Sequence, residues 1–339
     1  MAKLRVGAIG VGGMGRGHLL SVLAHKGVTV CAVCDVNPAA LEQGAERAGA
    51  APHAPDVKKY SDWRELLDKE KLDLVTVCLP HHLYAPVVTA ALRRDLHVYK
   101  DKPFAKDLHD AKLMVATAKR HRRRIFVGAQ RKFSPSFLKA KEIVDSGRLG
   151  KVHFVRGAIH YYWAHVFTNT MRWRGIKKES GGIAIIDSGY HILDAIMAYH
   201  GKPAGVFAAT GSLCAAKGAK YDIDDKAALI LNYEDGSLGA VTISFATVPN
   251  EFRVVLHGQD GTLDINPATM HLYEGSKLVE QMPVDDSKVN TLAVQFAHCV
   301  DALLKKKPSL CDMDRALDVQ RVIEAAYQSD RTGKVAKVE

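Results

Sequence analysis

Three groups of residues have the types and spacing that chemistry requires. The first is Gly10-Val11-Gly12-Gly13-Met14-Gly15, which joins an apolar run, Leu4 to Ile9, to a helix-like run, His18 to Leu23, while Asp35 closes the next apolar run. In such a loop Gly10 permits a tight turn, Gly12 lets the backbone approach a pyrophosphate, and Gly15 lets the helix pack closely on the strand. Unpaired N–H groups at the positive end of the helix then receive the anion, so a dinucleotide is the ligand this pattern predicts. A carboxylate at Asp35 bonds both ribose hydroxyls of NAD and repels a 2′-phosphate, and Val36-Asn37-Pro38 offers no arginine to offset the repulsion. NAD is therefore expected over NADP.

The second group, Asp101-Lys102-Pro103-Phe104, follows a predicted strand end. Folds of this kind bind ligands beyond the carboxyl ends of their strands, which points Lys102 at the cofactor crevice, and the proline restricts the lysine backbone and allows a cis bond. In the third group, Asp187, His191 and Asp194 stand at i, i+4 and i+7 of an apolar helical segment. On one helical stripe, a carboxylate from either neighbouring turn can orient or charge-stabilise the imidazole, whose ordinary pKa suits it to moving a proton. The same three side chains are also a conceivable metal set, and the histidine a conceivable core residue; no further Cys/His cluster stands nearby, and no metal is expected.

These groups need a scaffold, and the hydrophobic pattern supplies one. Apolar runs at 4–9, 28–34, 72–78, 96–100 and 125–129 alternate with helical spacing at 39–48, 63–69, 85–93 and 108–121, which predicts a parallel, doubly wound α/β sheet. A linking helix at 134–146 ends at Gly147. From Val152 onward, hairpin signals such as Asp235-Gly236 and Asp260-Gly261 predict an α+β region with an open-faced, mainly antiparallel sheet. One helix, near 182–199, covers only one face of that sheet, so the other is wet or pressed against another subunit. Two more helices are expected at 291–305 and 313–329. The expected division is a nucleotide-binding domain at 1–130 and a substrate and oligomerisation domain at 131–339, whose C-terminal helix has the option of packing back on the first.

Length and composition set bounds. With 339 residues, 47% of them hydrophobic and 25% charged, the chain is globular and long enough for two cores. The net charge of +10 raises the question of nucleic acid, but the densest basic run, Lys119 to Arg124, ends a predicted helix, where cations favour the dipole, and has no interleaved aromatics. No nucleic-acid partner is expected. No apolar stretch is long enough to cross a membrane and no leader pattern is present, so a cytoplasmic location is expected. The six cysteines are scattered, and the sulfurs of Cys31 and Cys34 point to opposite faces of one strand, which argues for buried thiols.

Taken in order, Gly10 to His18, Asp101-Lys102-Pro103 and Gly181-Gly182-Ile183-Ala184-Ile185-Ile186-Asp187-Ser188-Gly189-Tyr190-His191 resemble the Gfo/Idh/MocA family of glucose–fructose oxidoreductases and inositol dehydrogenases. The resemblance implies a Rossmann domain, an open-faced C-terminal sheet, NAD or NADP, sugar or polyol substrates, and homodimers or homotetramers built on the sheet. It implies Lys102, Asp187 and His191 as catalytic residues. His191 would take the hydroxyl proton, Asp187 would hold the ring, and Lys102 would stabilise the alkoxide as hydride passes to nicotinamide. Cofactor contacts are expected from Gly10, Gly12, Gly13, Met14, Gly15, Asp35, Leu79, Pro80, His81, Asp101, Lys102 and Gln130, and substrate contacts from Arg131, Tyr161, Trp163, Arg172, Trp173 and Arg174 with Asp187 and His191. Two departures stand out: Asp101 replaces the usual glutamate, and Leu79-Pro80-His81-His82-Leu83-Tyr84 replaces Thr-Pro-Asn-x-x-His. The alternatives are glycoside cleavage by transient oxidation, elimination and reduction, and a sugar- or NAD-sensing regulator without catalysis.

Overall fold

The computed structural model describes residues 3–51, 56–163, 172–212, 221–283 and 289–339. The chain divides into two units, the first made of Met1–Ala105, His109–Gln130 and Asn290–Ala316, and the second of Lys106–Leu108, Arg131–Val289 and Leu317–Glu339.

In the first unit six parallel strands, β1 (Leu4–Ile9), β2 (Val28–Cys34), β3 (Lys58–Tyr60), β4 (Leu74–Val77), β5 (His97–Asp101) and β6 (Ile125–Gly128), form a sheet in the order β3-β2-β1-β4-β5-β6. The connecting helices are α1 (Gly13–Leu23), α2 (Pro38–Gly49), α3 (Trp63–Lys69), α4 (Tyr84–Arg93) and α5 (Leu108–Arg120). Every residue of β4 and β6 is buried, as expected of parallel strands covered on both faces. The strand β3, absent from the sequence reading, is three residues long, and its two lysines occupy an edge, where charge blocks further pairing. Asn37 starts α2 by accepting the Ala39 and Ala40 N–H groups, with Pro38 at the first helical position.

The second unit opens with α6 (Pro135–Asp145) and contains α7 (Lys177–Ser180) and α8 (Gly189–His200). Among the described residues its strands are β7 (Val152–Tyr162), β8 (Gly205–Gly211), β9 (Lys226–Asn232), β10 (Leu238–Ser244), β11 (Ala246–Gly258), β12 (Thr262–Asn266), β13 (Thr269–Glu274), β14 (Lys277–Pro283) and β15 (Ala336–Lys337). They pair in the order β14-β13-β12-β11-β7-β10-β9-β8-β15, antiparallel throughout except for β7 with β10. On the inner face α8 lies so close to β7 that a Cβ on Gly157 would stand 2.7 Å from Ile196 and 3.0 Å from Ile192. The outer face presents Arg156, Ala158, Ala240, Thr242, Arg253 and Val255 around a hollow of about 230 Å³, and Phe207, Ile230 and Leu238 are exposed.

Where the sequence predicts one helix over 182–199, the structure has a π-helical turn, Ala184–Ser188, followed by α8. The cause is local. Gly182 holds φ at +137°, and the buried Asp224 carboxylate accepts the Ile183 and Ile185 N–H groups, 3.0 Å each, so the chain enters the helix through a side-chain clamp. Tyr327 donates its hydroxyl to the same carboxylate at 3.1 Å. No helix among the described residues is long and apolar enough to cross a membrane.

Candidate active site

At the carboxyl ends of β1 to β4 lies a cavity of about 530 Å³, lined by Gly10, Gly12, Asp35, Val36, Leu79, Pro80 and Leu83 among others. Two positions of the glycine loop have no room for a side chain: a Cβ on Gly10 would lie 2.0 Å from the Cys78 carbonyl, and one on Gly15 2.0 Å from the Gly10 carbonyl. Asp35 Oδ2 accepts the Val11 and Gly12 N–H groups at 2.9 and 3.1 Å, and its Oδ1 accepts Asn37 N–H at 2.9 Å. The carboxylate expected at the ribose therefore also fixes the glycine loop. Gly13 and half-exposed Met14 begin α1. Ser61, Asp62, Trp63 and Arg64 line the same cavity, a contribution that the sequence reading missed along with β3. Arg64 lies 4.3 Å over the Trp63 ring and 3.2 Å from Asp62. The carboxyl end of a parallel strand beside β2 necessarily opens on this crevice, which is the signal that finding β3 would have supplied.

At the end of β5 three consecutive residues have three different surroundings. Lys100 is fully buried, with its ammonium 3.4 Å over the Tyr84 ring and donating to the Asp101 and Pro103 carbonyls. Burial drives that ammonium well below the ordinary lysine range, against the pull of Asp101. It fastens the turn that carries Lys102, whose bond to Pro103 is cis. Asp101, expected at the cofactor, stands 3.1 Å from His18 Nε2, with the Cys78 thiol 4.0 Å away. Burial pushes its carboxyl up, but His18, Lys102 and Lys100 together hold it well below the usual carboxylate range. Donor atoms of His18, Cys78 and Asp101 lie within 4.8 Å of one another, yet the imidazole already faces the carboxylate. Lys102 itself is half-buried, and its N–H bonds to the Gly128 carbonyl at 3.2 Å. His81 is buried with its ring stacked on Tyr84, and Gln130 Oε1 is a buried acceptor without a hydrogen bond.

In the second unit Asp187 is 2% exposed in the π-turn, and His191 is 8% exposed in the first turn of α8. The sequence reading assigned Asp187 and Asp194 to the imidazole between them. Each carboxylate also has its own cation. Arg174 donates from Nη1 to Asp187 Oδ2, and Lys132 Nζ lies 2.6 Å from Asp194 Oδ2, with both side chains of that second pair 4% exposed. Spacing shows which residues share a stripe, but not which distant cation arrives from a 3₁₀ turn such as Arg172–Gly175 or Gln130–Phe133.

The residues expected at the substrate form two groups. Arg131 Nη2 donates to the Tyr161 hydroxyl at 3.1 Å, and the Tyr161 ring lies 5.9 Å from that of Trp163, which is half exposed. Burial raises the Tyr161 hydroxyl, with Arg131 opposing it. Trp173 carries the Arg174 guanidinium 4.7 Å from its ring centre, which links this group to Asp187. The side chain of Arg172 lies outside the described residues.

A parallel sheet with a glycine loop, a carboxylate at the end of its second strand, and a separate open-faced sheet define the class of two-unit nicotinamide-dependent oxidoreductases. Residues 4–129 match the model of an oxidoreductase family with an NAD-binding Rossmann fold, and residues 137–264 match the GFO/IDH/MocA C-terminal domain. The chain belongs to the GFO/IDH/MocA oxidoreductase family. It is 25% identical over 295 residues to levoglucosan dehydrogenase of Pseudarthrobacter phenanthrenivorans, covering 78% of this chain and 74% of that one. To myo-inositol 2-dehydrogenase of Thermotoga maritima it is 26% identical over 271 residues, covering 77% and 74%. A solved levoglucosan dehydrogenase in complex with NADH and levoglucosan superposes with a TM-score of 0.88 at 19% identity, over 99% of both chains, a likeness of fold.

Proposed function

We propose that this chain oxidises a hydroxyl-bearing carbon of a sugar or cyclitol, or reduces the matching ketone, with NAD as its partner. The observation that carries the reading is a buried histidine with a buried carboxylate on either side in sequence, Asp187 paired with Arg174 and Asp194 with the buried Lys132. That setting provides a proton acceptor next to a fixed anion in a protected site. The two relatives named for levoglucosan and myo-inositol support a hydroxyl-rich ring as substrate.

The cofactor fits the residues present. Gly10, Gly12 and Gly15 leave the backbone bare beside a cavity of about 530 Å³, and the buried Gln130 Oε1 wants a donor. Bound NAD supplies the hydride acceptor. His191 takes the hydroxyl proton, Asp187 holds the imidazole, and the Lys102 ammonium stabilises the oxyanion that develops at the reacting carbon. Asp101, Leu79, Pro80 and His81 belong to the cofactor end. Arg131, Tyr161, Trp163 and Trp173 offer aromatic faces and donors to a polyhydroxylated ring. NAD is favoured over NADP because Asp35 and Asp62 face the same cavity, while Arg64, its one arginine among the described lining residues, is paired with Asp62.

The outer face of the nine-stranded sheet, with a hollow floored by Ala158 and Ala240 and with Phe207, Ile230 and Leu238 exposed elsewhere on its strands, suits a homodimer or homotetramer. The test is a panel of hexoses, sugar acids, anhydrosugars and inositols with NAD, followed by NADH absorbance. Turnover with at least one of them, lost by at least about 10²-fold in His191→Ala and Lys102→Ala while NADH still binds, supports the reading. Wild-type rates in either variant overturn it.

A further inference from the structure

We propose that Arg174 is a positioning residue that keeps Asp187 ionised and fixed for His191, in place of the substrate contact expected from sequence. The inference rests on the dehydrogenase reading above. Three observations carry it. Arg174 donates from Nη1 to Asp187 Oδ2, and the carboxylate is 2% exposed, so the pair is shielded from water. The guanidinium rests against the Trp173 ring at 4.7 Å, and the turn that bears it is tied down by the Asp222 N–H bond to the Gly175 carbonyl at 3.1 Å. On the carboxylate side the π-turn is clamped by Asp224 through Ile183 and Ile185, and Asp224 is itself bonded to Tyr327. Both members of the ion pair are thus held from outside the pair.

The charges around His191 give this geometry its chemical meaning. The π-turn places Asp187 four positions before it, its own helix α8 places Asp194 three positions after it, and Asp194 is neutralised by Lys132. A buried carboxylate stripped of its cation takes up a proton more readily, and a protonated Asp187 is no longer an anion that can hold the imidazole. With Arg174 present, Asp187 stays an acceptor, and His191 is the group that gains and loses the proton. Removing the guanidinium has two effects of the same sign. Asp187 becomes easier to protonate, and one positive charge that disfavours imidazolium is lost. Both move the acid limb of the oxidation rate to higher pH.

The experiment compares Arg174→Ala, Arg174→Gln and Arg174→Lys in the full chain. The readouts are kcat and KM for the best substrate of the panel, the pH profile of kcat, rescue by methylguanidine, and the His191 imidazole titration by NMR of ¹³C-histidine protein assigned with His191→Gln. Expected for Ala and Gln are kcat lowered at least about 10-fold, substrate KM within about 3-fold, an acid limb and a His191 titration moved up by about one pH unit or more, and partial rescue of Ala by methylguanidine. Arg174→Lys keeps the charge and leaves the titration in place. An unchanged titration in Ala and Gln, or a loss confined to substrate KM, overturns the proposal. If the wild type shows no turnover on any substrate, the dehydrogenase reading fails by itself, while the NMR titration still decides whether Arg174 governs Asp187 and His191.

Discussion

Lys132 and Asp194 offer the sharpest quantitative test of how the second unit is built. Their charged atoms lie 2.6 Å apart and both side chains are 4% exposed, so neither charge has water to fall back on. Replacing Lys132 by Met preserves most of the volume and strands the Asp194 carboxylate. Breaking a buried pair from one side costs about 3–5 kcal/mol, mostly the penalty of the charge left behind. For a unit of 150–250 residues each kcal/mol lowers Tm by about 2–4 °C, giving an expected fall of roughly 6–20 °C in the transition of the second unit. Replacing both, Lys132→Met with Asp194→Leu, removes the stranded charge and should recover most of that loss. Scanning calorimetry with urea unfolding as a second measure follows both variants. A single variant within about 1 kcal/mol of wild type, or a double variant no better than the single one, would refute the claim that this pair is a dry, mutually dependent unit.

Other outcomes follow from the same physics. Gly182→Ala places a Cβ 2.1 Å from the Tyr327 hydroxyl at a φ of +137°, so it should destabilise by about 2–4 kcal/mol; adding Tyr327→Phe should restore part of this, as urea unfolding will report. Asp35→Ser removes the anion facing the ribose, and fluorescence titration should show the ratio of NADH to NADPH affinity falling at least about tenfold. Tighter NADPH than NADH binding by the wild type would contradict the argument. Burial, with Arg123 and Arg124, lowers His97 to about 4, below its ordinary 6.5, and its ring nitrogen accepts the Arg124 N–H at 3.1 Å. A histidine depressed in the folded state contributes its full stability above pH 6.5 and loses it as pH falls toward 4. Unfolding free energies measured across that window should therefore drop less steeply in His97→Gln.

Much of the fold was legible because periodicity reports burial. The strands at 4–9 and 28–34 and the helix at 63–69 appear with the predicted bounds, since each has a clear apolar face and a turn or cap at its end. By contrast β3 escaped notice: Lys58-Lys59-Tyr60 has no apolar alternation, and backbone pairing alone makes it a strand. In the site, the glycine loop and Asp35 were readable because backbone geometry restricts the residue types allowed there. The partners of Asp101, Asp187 and Asp194 were not. His18, Arg174 and Lys132 reach them across 83, 13 and 62 positions of chain, a choice made by packing, which no local spacing records.

The return of residues 290–316 to the first unit has a consequence for how the chain is made. Tyr99, buried in β5, donates to Gln295, its ring abuts that of the buried Phe296, and Val127 in β6 donates its N–H to the Cys311 carbonyl. A ribosome that has emitted the first 130 residues has delivered a sheet whose last two strands still lack these neighbours. At about 5–20 residues per second, some 8–32 s pass before they emerge. During that interval the nascent sheet bears an uncovered apolar seam at Tyr99, closed only when Gln295 and Phe296 arrive.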